Sequence, residues 1–406
     1  MVVGPEPVKG VNLTDIVNRN EAVVLNAIRW APGGLSRVEL ASATGLAPQT
    51  VSNLSRRLLD LGLIEEGERV TQAAGKPRTM LKIRAEGRYA FGVHLDADRL
   101  VFVLIDFLGR LVASRTIIAD PDAGPSEFCG VISSTLMDLR RNADVPRGRI
   151  GGAGVALPGL VVVDLESSGS DAFPRLQGLD FGSLLQESLE LPVSLSGDIA
   201  ANALGEYRVG AGAACEAPAY LHLSTRIGAA AIFSGEVFAG QNGRAGDLAH
   251  LVVDPDGPVC DCGQRGCAVA CLTREAVVRQ AAQRGLTADG PSPVGDGLQE
   301  LHELVDNGTP EATDFVAAIA RQVSNALVAV AGLMGSDAAI VGGAVWEALG
   351  ESVLPQVVAS VRGRVGSRGD DAPFPVLSGV LGQNAAALGA AYRELLAPRE
   401  ARSGNP

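Results

Sequence analysis

Four of the chain's six cysteines fall between residues 260 and 271, and this crowding constrains the fold of the 406-residue sequence more than any other feature. The run Cys260-Asp-Cys262-Gly-Gln-Arg-Gly-Cys267 carries two glycines, which permit the tight backbone turns of a tetrahedral site. Thiolates spaced in this way suit zinc, which takes four ligands. The fourth is either Cys271, one helical turn beyond Cys267, or a histidine from elsewhere, with His250 the nearest. A closed four-ligand site is structural rather than catalytic, so Zn2+ here would pin a loop without implying an enzyme. The cluster also fits a metal in a cytoplasmic chain better than a disulfide network.

The net charge of −12 argues against a nucleic-acid partner until its distribution is examined. Residues 1–85 hold 11 Lys/Arg against 8 Asp/Glu, and all three lysines (Lys9, Lys76 and Lys82) lie there. The remainder holds 23 against 38. A mildly basic module therefore precedes a strongly acidic body. In the module, apolar spacing predicts helices over Glu21–Trp30, over Arg37–Ala43 with Val38 and Ala41 inward, and over Pro48–Asp60. Ala41, Gly45, Val51 and Leu54 mark a helix-turn-helix joint: a small residue at the helix contact, a glycine at the turn, and apolar locks. Gln49, Thr50, Ser52, Asn53, Arg56 and Arg57 are then left facing outward, with amides and hydroxyls for base edges and arginines for phosphate or guanine. After Gly62 the chain reads as two strands around a loop with Lys76 and Arg78 at its tip, the wing of a winged helix. Two such modules in a dimer would address a palindromic double-stranded operator through successive major grooves.

From about Tyr89 short β-rich runs alternate with helices, predicting an α/β body of two lobes around a cleft. The expected division is a DNA-binding domain over 1–85, a smaller lobe over 86–200 completed by a C-terminal helix at 384–398, and a larger lobe over 201–383 carrying the metal loop, effector site and dimer contacts. Thr287–Asp296 is rich in turn residues and reads as a surface loop. The start, MVVGPEPVKG, lacks a signal-peptide core. The apolar stretch Gln322–Ser336 is shorter than the ~20 residues of a membrane span. A cytoplasmic protein without a membrane partner is expected.

Several motifs together resemble the ROK family, which unites bacterial sugar kinases with winged-helix sugar-operon repressors. Gly240–His250 (GQNGRAGDLAH) resembles the family's G-x-x-G-x-A-G-E-x-G-H, and CDCGQRGC matches its C-x-C-G-x-x-G-C zinc loop at every specified position. GVALPGLV (Gly154–Val161), GDIAANALGE (Gly197–Glu206) and IVGGAV (Ile340–Val345) resemble G-I-x-x-P-G-x-V, N-D-A-N-A-A-A-L-G-E and the late I-V-I-G-G-G strand end. The resemblance implies an actin-like, ribonuclease H-like sugar-kinase body, and zinc ligands His250, Cys260, Cys262 and Cys267 with Cys271 spare. It also implies a homodimer or dimer of dimers and a sugar-type effector.

The departures from the family pattern are equally informative. Where family kinases have D-x-G-G-T, this chain reads His94-Leu95-Asp96-Ala97-Asp98, with two carboxylates and no glycine to cradle phosphate. The second phosphate loop, G-T-G-I-G-G-G in kinases, reads Ser224-Thr225-Arg226-Ile227-Gly228-Ala229-Ala230. The kinase base falls on Asp198, a vestige without bound ATP, so no catalytic residue is expected. Asp198, Asp247 and His250 keep hydrogen-bonding chemistry in the sugar pocket, whereas Gly197 and Val269 have lost it. Arg175, in FPRLQGLD (Phe173–Asp180), replaces a family asparagine and would suit an anionic ligand such as a sugar phosphate or acid. The expected protein is a DNA-binding transcriptional regulator, a repressor of carbohydrate-utilisation genes rather than an enzyme. The alternative is a sugar kinase that phosphorylates a hexose or N-acetylhexosamine and retains a DNA-binding domain.

Overall fold

The computed structural model describes residues 13–31, 33–70, 77–96, 98–120, 122–159, 173–176, 179–240, 245–287, 294–365 and 374–396. The N-terminal module comprises α1 (Leu13–Arg29), α2 (Arg37–Thr44) and α3 (Pro48–Asp60), followed by the antiparallel pair β1 (Ile64–Val70) and β2 (Arg78–Ile83). Helix α2 opens on a capping box: the Ser36 amide donates to Glu39 Oε2 at 2.9 Å, and the Glu39 amide donates to Ser36 Oγ at 3.4 Å. It closes on Gly45 at φ 68°, the left-handed turn the joint requires. Pro48 starts α3, and its stripe of Val51, Leu54 and Leu58 is buried against Val24 and Ile28 of α1. Two expectations are corrected. α1 begins at Leu13, well before Glu21. On α2, Leu40 rather than Val38 faces the core, at 0% and 63% exposure respectively, because α1, α3 and β2 pack on the side of the helix that carries Leu40.

The body opens with β3 (Tyr89–Leu95), β4 (Arg99–Ile105) and β5 (Leu111–Ile118), followed by α4 (Pro125–Asn142), β6 (Ile150–Leu157), α5 (Phe181–Leu189) and β7 (Val193–Gly197). These strands form one sheet in the order β5-β4-β3-β6-β7, antiparallel on the β5 side and parallel on the β7 side. Alternation along β4 sends Leu100, Phe102 and Leu104 toward the core under α4. Val101, Val103 and Ile105 point the other way, into a core shared with the N-terminal module. The module is thereby packed onto the lobe rather than tethered to it. Arg149 reinforces the joint, its Nη1 donating to the carbonyls of Leu61 (3.2 Å) and Gly87 (3.1 Å).

Next come α6 (Asp198–Val209), β8 (Ala219–Leu223), β9 (Ile227–Phe233), β10 (Glu236–Val237), α7 (Ala268–Leu272), α8 (Arg274–Gln283), α9 (Val294–Asp306) and α10 (Pro310–Met334). β11 (Ala339–Gly342), α11 (Ala344–Val361), β12 (Val376–Ser378) and α12 (Ala385–Leu396) complete the chain. The second sheet has the order β10-β9-β8-β11-β12, with α7 to α11 forming a large core on one face. Helices α6 and α12 lie between the two sheets. Their close approach demands glycine: a Cβ on Gly154 would collide with the Ala390 carbonyl, and one on Gly389 with the Ala201 carbonyl.

Helices α5, α7 and α9 were not foreseen, and residues 294–296 of the expected surface loop form the first turn of α9. α10 runs for 25 residues and is long and apolar enough to cross a membrane, although the stretch Gln322–Ser336 alone is not. Its apolar residues Phe315, Ile319, Val323 and Leu327 lie in the core of the second lobe.

Candidate metal centre, effector cavities and DNA-binding face

The loop from Asp254 to Cys267 folds back on itself through backbone contacts, three of them around the cysteines. The Cys260 amide donates to the Gln264 carbonyl (2.7 Å), the Gly263 amide to the Cys260 carbonyl (2.8 Å), and the Gly266 amide to the Pro258 carbonyl (2.9 Å). Gly266 has φ 68°, and a Cβ there would fall on the Asp254 carbonyl, so no other residue fits. This fold gathers His250, Cys260, Cys262 and Cys267, whose ligand atoms all lie within 4.8 Å of one another. Cys260 Sγ is 3.6 Å from His250 Nδ1, and Cys262 Sγ is 3.6 Å from Cys267 Sγ. Tetrahedral zinc with Zn–S near 2.3 Å would space its sulfurs at about 3.8 Å, so the donor set fits that ion. The Gln264 amide holds the Cys262 thiol below its ordinary value, favouring the thiolate. Cys271 is buried outside the group, its thiol pushed up to about 11 by burial first and by nearby Asp254.

Two cavities open between the lobes. The first, about 730 Å3, is lined by His94, Asp96, Asp98, Asp198, Glu206, His222, Ser224, Thr225, Arg226, Arg274 and Glu347, among others. Asp98 is held by Arg99 through a two-pronged pair, Nε–Oδ1 2.8 Å and Nη2–Oδ2 2.7 Å. Glu206 is buried and accepts the amides of Ala211, Val380 and Leu381, each at 2.9 Å. Burial pushes the Glu347 carboxyl up, and it pushes the His222 imidazole down. The second cavity, about 690 Å3, is lined by Gly159, Gly197, Asp198, Ile199, Arg226, Gly228, Phe238, Gly246 and Asp247, among others. Asp198, the first residue of α6, is buried and belongs to both cavities, its Oδ1 accepting the Ile199 amide at 2.9 Å. Asp247 is exposed at the second cavity. His250 sits with the cysteines and lines neither cavity, and neither does Arg175, which is exposed on a short 3-10 turn.

On α3, Gln49, Asn53, Arg56 and Arg57 are exposed, while Thr50 and Ser52 are half-buried. Gln49 Nε2 donates to Asn53 Oδ1 at 3.3 Å, aligning two amides along the outer face. Arg57 is drawn inward to Glu21 of α1, with Nε 3.0 Å from Oε1. In the wing, Lys76 lies outside the described residues, and Arg78 opens β2 with Nη1 4.0 Å from Glu39 Oε1.

Residues 90–396 match the ROK family. The chain belongs to the ROK family. Residues 18–65 match a winged helix-turn-helix DNA-binding module, so the chain couples a DNA-binding module to a ROK body. Over 359 residues it is 24% identical to the DNA-binding transcriptional dual regulator NagC of Escherichia coli, covering 86% of each chain. It is 26% identical over 363 residues to the xylose repressor of Bacillus subtilis, covering 87% of this chain and 89% of that one. Its fold matches the crystal structure of a ROK transcriptional regulator homologous to the E. coli MLC protein (TM-score 0.76, 21% identity), covering 94% of this chain and 97% of that one. A ROK glucokinase from Streptomyces griseus, solved with glucose and AMPPNP, aligns with a TM-score of 0.61 at 26% identity, covering 75% of this chain and 98% of the kinase. These relatives make the chain a ROK-family DNA-binding transcriptional regulator, and its likeness to kinases is one of fold.

Within the ROK framework the first cavity is lined from both stretches that depart from the kinase phosphate loops, by His94, Asp96 and Asp98 and by Ser224, Thr225 and Arg226. Its wall carries more carboxylates than arginines, an arrangement that disfavours a polyphosphate. Two participants were missed from sequence. Arg226 was read only as a lost phosphate-loop glycine, yet it lines both cavities and lies against Gly159. Phe238 sits at the second cavity in edge-to-face contact with Phe233, their ring centroids 5.6 Å apart. Two phenylalanines straddling a glycine-containing turn were the available signal for that aromatic wall.

Proposed function

We propose that this protein is a cytoplasmic, homodimeric or dimer-of-dimers repressor of carbohydrate-utilisation genes, released or engaged by a sugar or sugar-derivative effector in the second cavity. The reading is carried by one observation: the winged helix shares a hydrophobic core with the lobe whose helix α6 begins at both cavities. Gln49, Asn53 and Arg56 would reach base edges or phosphate, supported by Thr50, Ser52, Lys76 and Arg78, with Arg57 acting mainly through Glu21. Asp198 and Asp247 would accept effector hydroxyls, and Arg226, which lines the second cavity, would meet an anionic group that Arg175 could reach only from outside it. His250, Cys260, Cys262 and Cys267 would hold Zn2+, which supplies cross-linking of the loop rather than chemistry. The loop residues in turn orient the Asp247–His250 segment beside the cavity.

The same body reads poorly as a kinase, because Asp198 would face a cleft whose first former phosphate loop offers carboxylates and whose second has lost most of its glycines to Arg226, Ala229 and Ala230. The deciding experiment pairs two assays on the full chain. Enrichment of a duplex from a random DNA pool, with release or tightening by xylose, N-acetylglucosamine or their phosphates, is the expected result. ADP release with those sugars, without any enriched duplex, would replace this reading with the kinase.

A further inference from the structure

Helix α6 has one end in the cavities and the other against the DNA-binding module. Asp198 opens it at both cavities, and Arg208 closes it in a cluster of aromatic rings. The Arg208 guanidinium carbon lies 5.0 Å from the Trp30 ring centroid, 4.9 Å from Tyr207 and 5.5 Å from Tyr392. Trp30 directly follows α1, Tyr392 belongs to α12, and Tyr207 to α6. Arg208 Nη2 also donates a short hydrogen bond to the carbonyl of Gly235. Gly235 forms the β9–β10 turn at φ 82°, and the next residues, Glu236, Val237 and Phe238, are wall of the second cavity.

We infer that Arg208 is the positioning residue through which occupancy of the second cavity is felt by the DNA-binding module. The inference rests on the effector-responsive reading above and names the contact that carries the response. Among the described residues, Arg208 Nε is buried with no hydrogen-bond partner, so the Gly235 carbonyl is the acceptor that fixes the fork. A guanidinium with an unpaired buried Nε moves when its acceptor moves. Arg29 also lies by Tyr392, 5.7 Å from that ring, and is bonded through Nη2 to the Phe107 carbonyl at 3.1 Å. Two like charges are thus held around one ring by two carbonyls. Displacing the β9–β10 turn removes one carbonyl, and the repulsion is relieved by a shift of Arg208 against Trp30, which sets the end of α1. Arg57 joins Glu21 of α1 to the recognition helix, so α1 transmits the shift onward.

Coupling of this kind is reciprocal, so bound DNA must be felt at the hairpin. The test uses the full-length protein and a duplex enriched from a random pool by that protein. Hydrogen exchange of residues 227–240 is compared with and without saturating duplex. The wild type is expected to change by about fivefold or more, and Arg208→Ala and Trp30→Leu by less than about twofold. Arg208→Lys, which keeps the charge but loses the planar fork, should behave like Arg208→Ala. Trp30 is half-exposed, so Trp30→Leu serves where Arg208→Ala fails to fold. Unchanged exchange across β4 certifies that the variants are folded. A hairpin that ignores bound duplex in the wild type, or responds equally in both variants, overturns the inference. Failure to enrich any duplex overturns the DNA-binding reading instead.

Discussion

Arg56 and Arg57 are adjacent in sequence and both exposed, yet they should fail differently when removed. Arg57 Nε is 3.0 Å from Glu21 Oε1, with the Glu21 side chain only 14% exposed and that of Arg57 55% exposed. A pair half open to solvent is worth about 1 kcal/mol at most, and much of the loss in Arg57→Ala is the carboxylate left behind. Melting temperature should fall by about 2–4 °C, since module and first lobe share a core and unfold as one unit. Arg56 is exposed on the outer face of α3, so Arg56→Ala should leave stability within about 0.5 kcal/mol. It should instead cost about 1–3 kcal/mol of specific binding if it reaches a base, or lower the salt slope by about one if it reaches phosphate. Fluorescence anisotropy on an enriched duplex at several salt concentrations, beside thermal melts of both variants, separates the cases. Equal binding loss in both variants with unchanged melting would refute the division of labour. Unchanged binding in Arg56→Ala would mean that α3 presents another face to DNA.

Three further outcomes follow from the geometry. Leu40→Ala should cost about 2–5 kcal/mol in chemical denaturation, whereas Val38→Ala, on the solvent side of the same helix, should stay within about 0.5 kcal/mol. Metal content measured after purification should show one zinc per chain for wild type and Cys271→Ser, and strong depletion for Cys262→Ser; depletion in Cys271→Ser as well would show that Cys271 completes the site. Burial holds His222 below its ordinary value, while the unfolded chain titrates near about 6.5. The contribution is therefore complete above that value and is lost as pH falls toward the depressed folded one. The wild type should lose more stability than His222→Gln between pH 7.5 and 5.5 in urea titrations, and parallel losses would refute the assignment.

Local signals were enough wherever a residue's role is set by its immediate neighbours. Pro48, Gly45 and the Val51–Leu54–Leu58 stripe announced α3 and the turn before it, and the structure places all of them as such. The β-rich runs at β4 and β5 were legible because the preference of branched and aromatic residues for strands is a local property. α7 and α9 were missed because five residues carry too little periodicity, and because the first turn of α9, Val294–Asp296, belongs to a turn-rich segment. Val38 was misassigned because an eight-residue helix can be rotated by its neighbours, and α1, α3 and β2 decide which side is buried.

The cysteine cluster shows the same division most plainly. Spacing alone puts three thiolates close enough to share a metal, because eight residues with two glycines can scarcely separate them. It left the fourth ligand open between Cys271 and His250, which differ in which way α7 turns and where the preceding loop returns. Tertiary packing gathers His250 with the three cysteines, its ring 3.6 Å from Cys260 Sγ, and turns Cys271 into the core of the second lobe. It alone likewise decided that Arg226 lines both cavities and that Arg208 touches Trp30, because those contacts join residues far apart in the chain, whose distance is fixed by packing rather than by spacing.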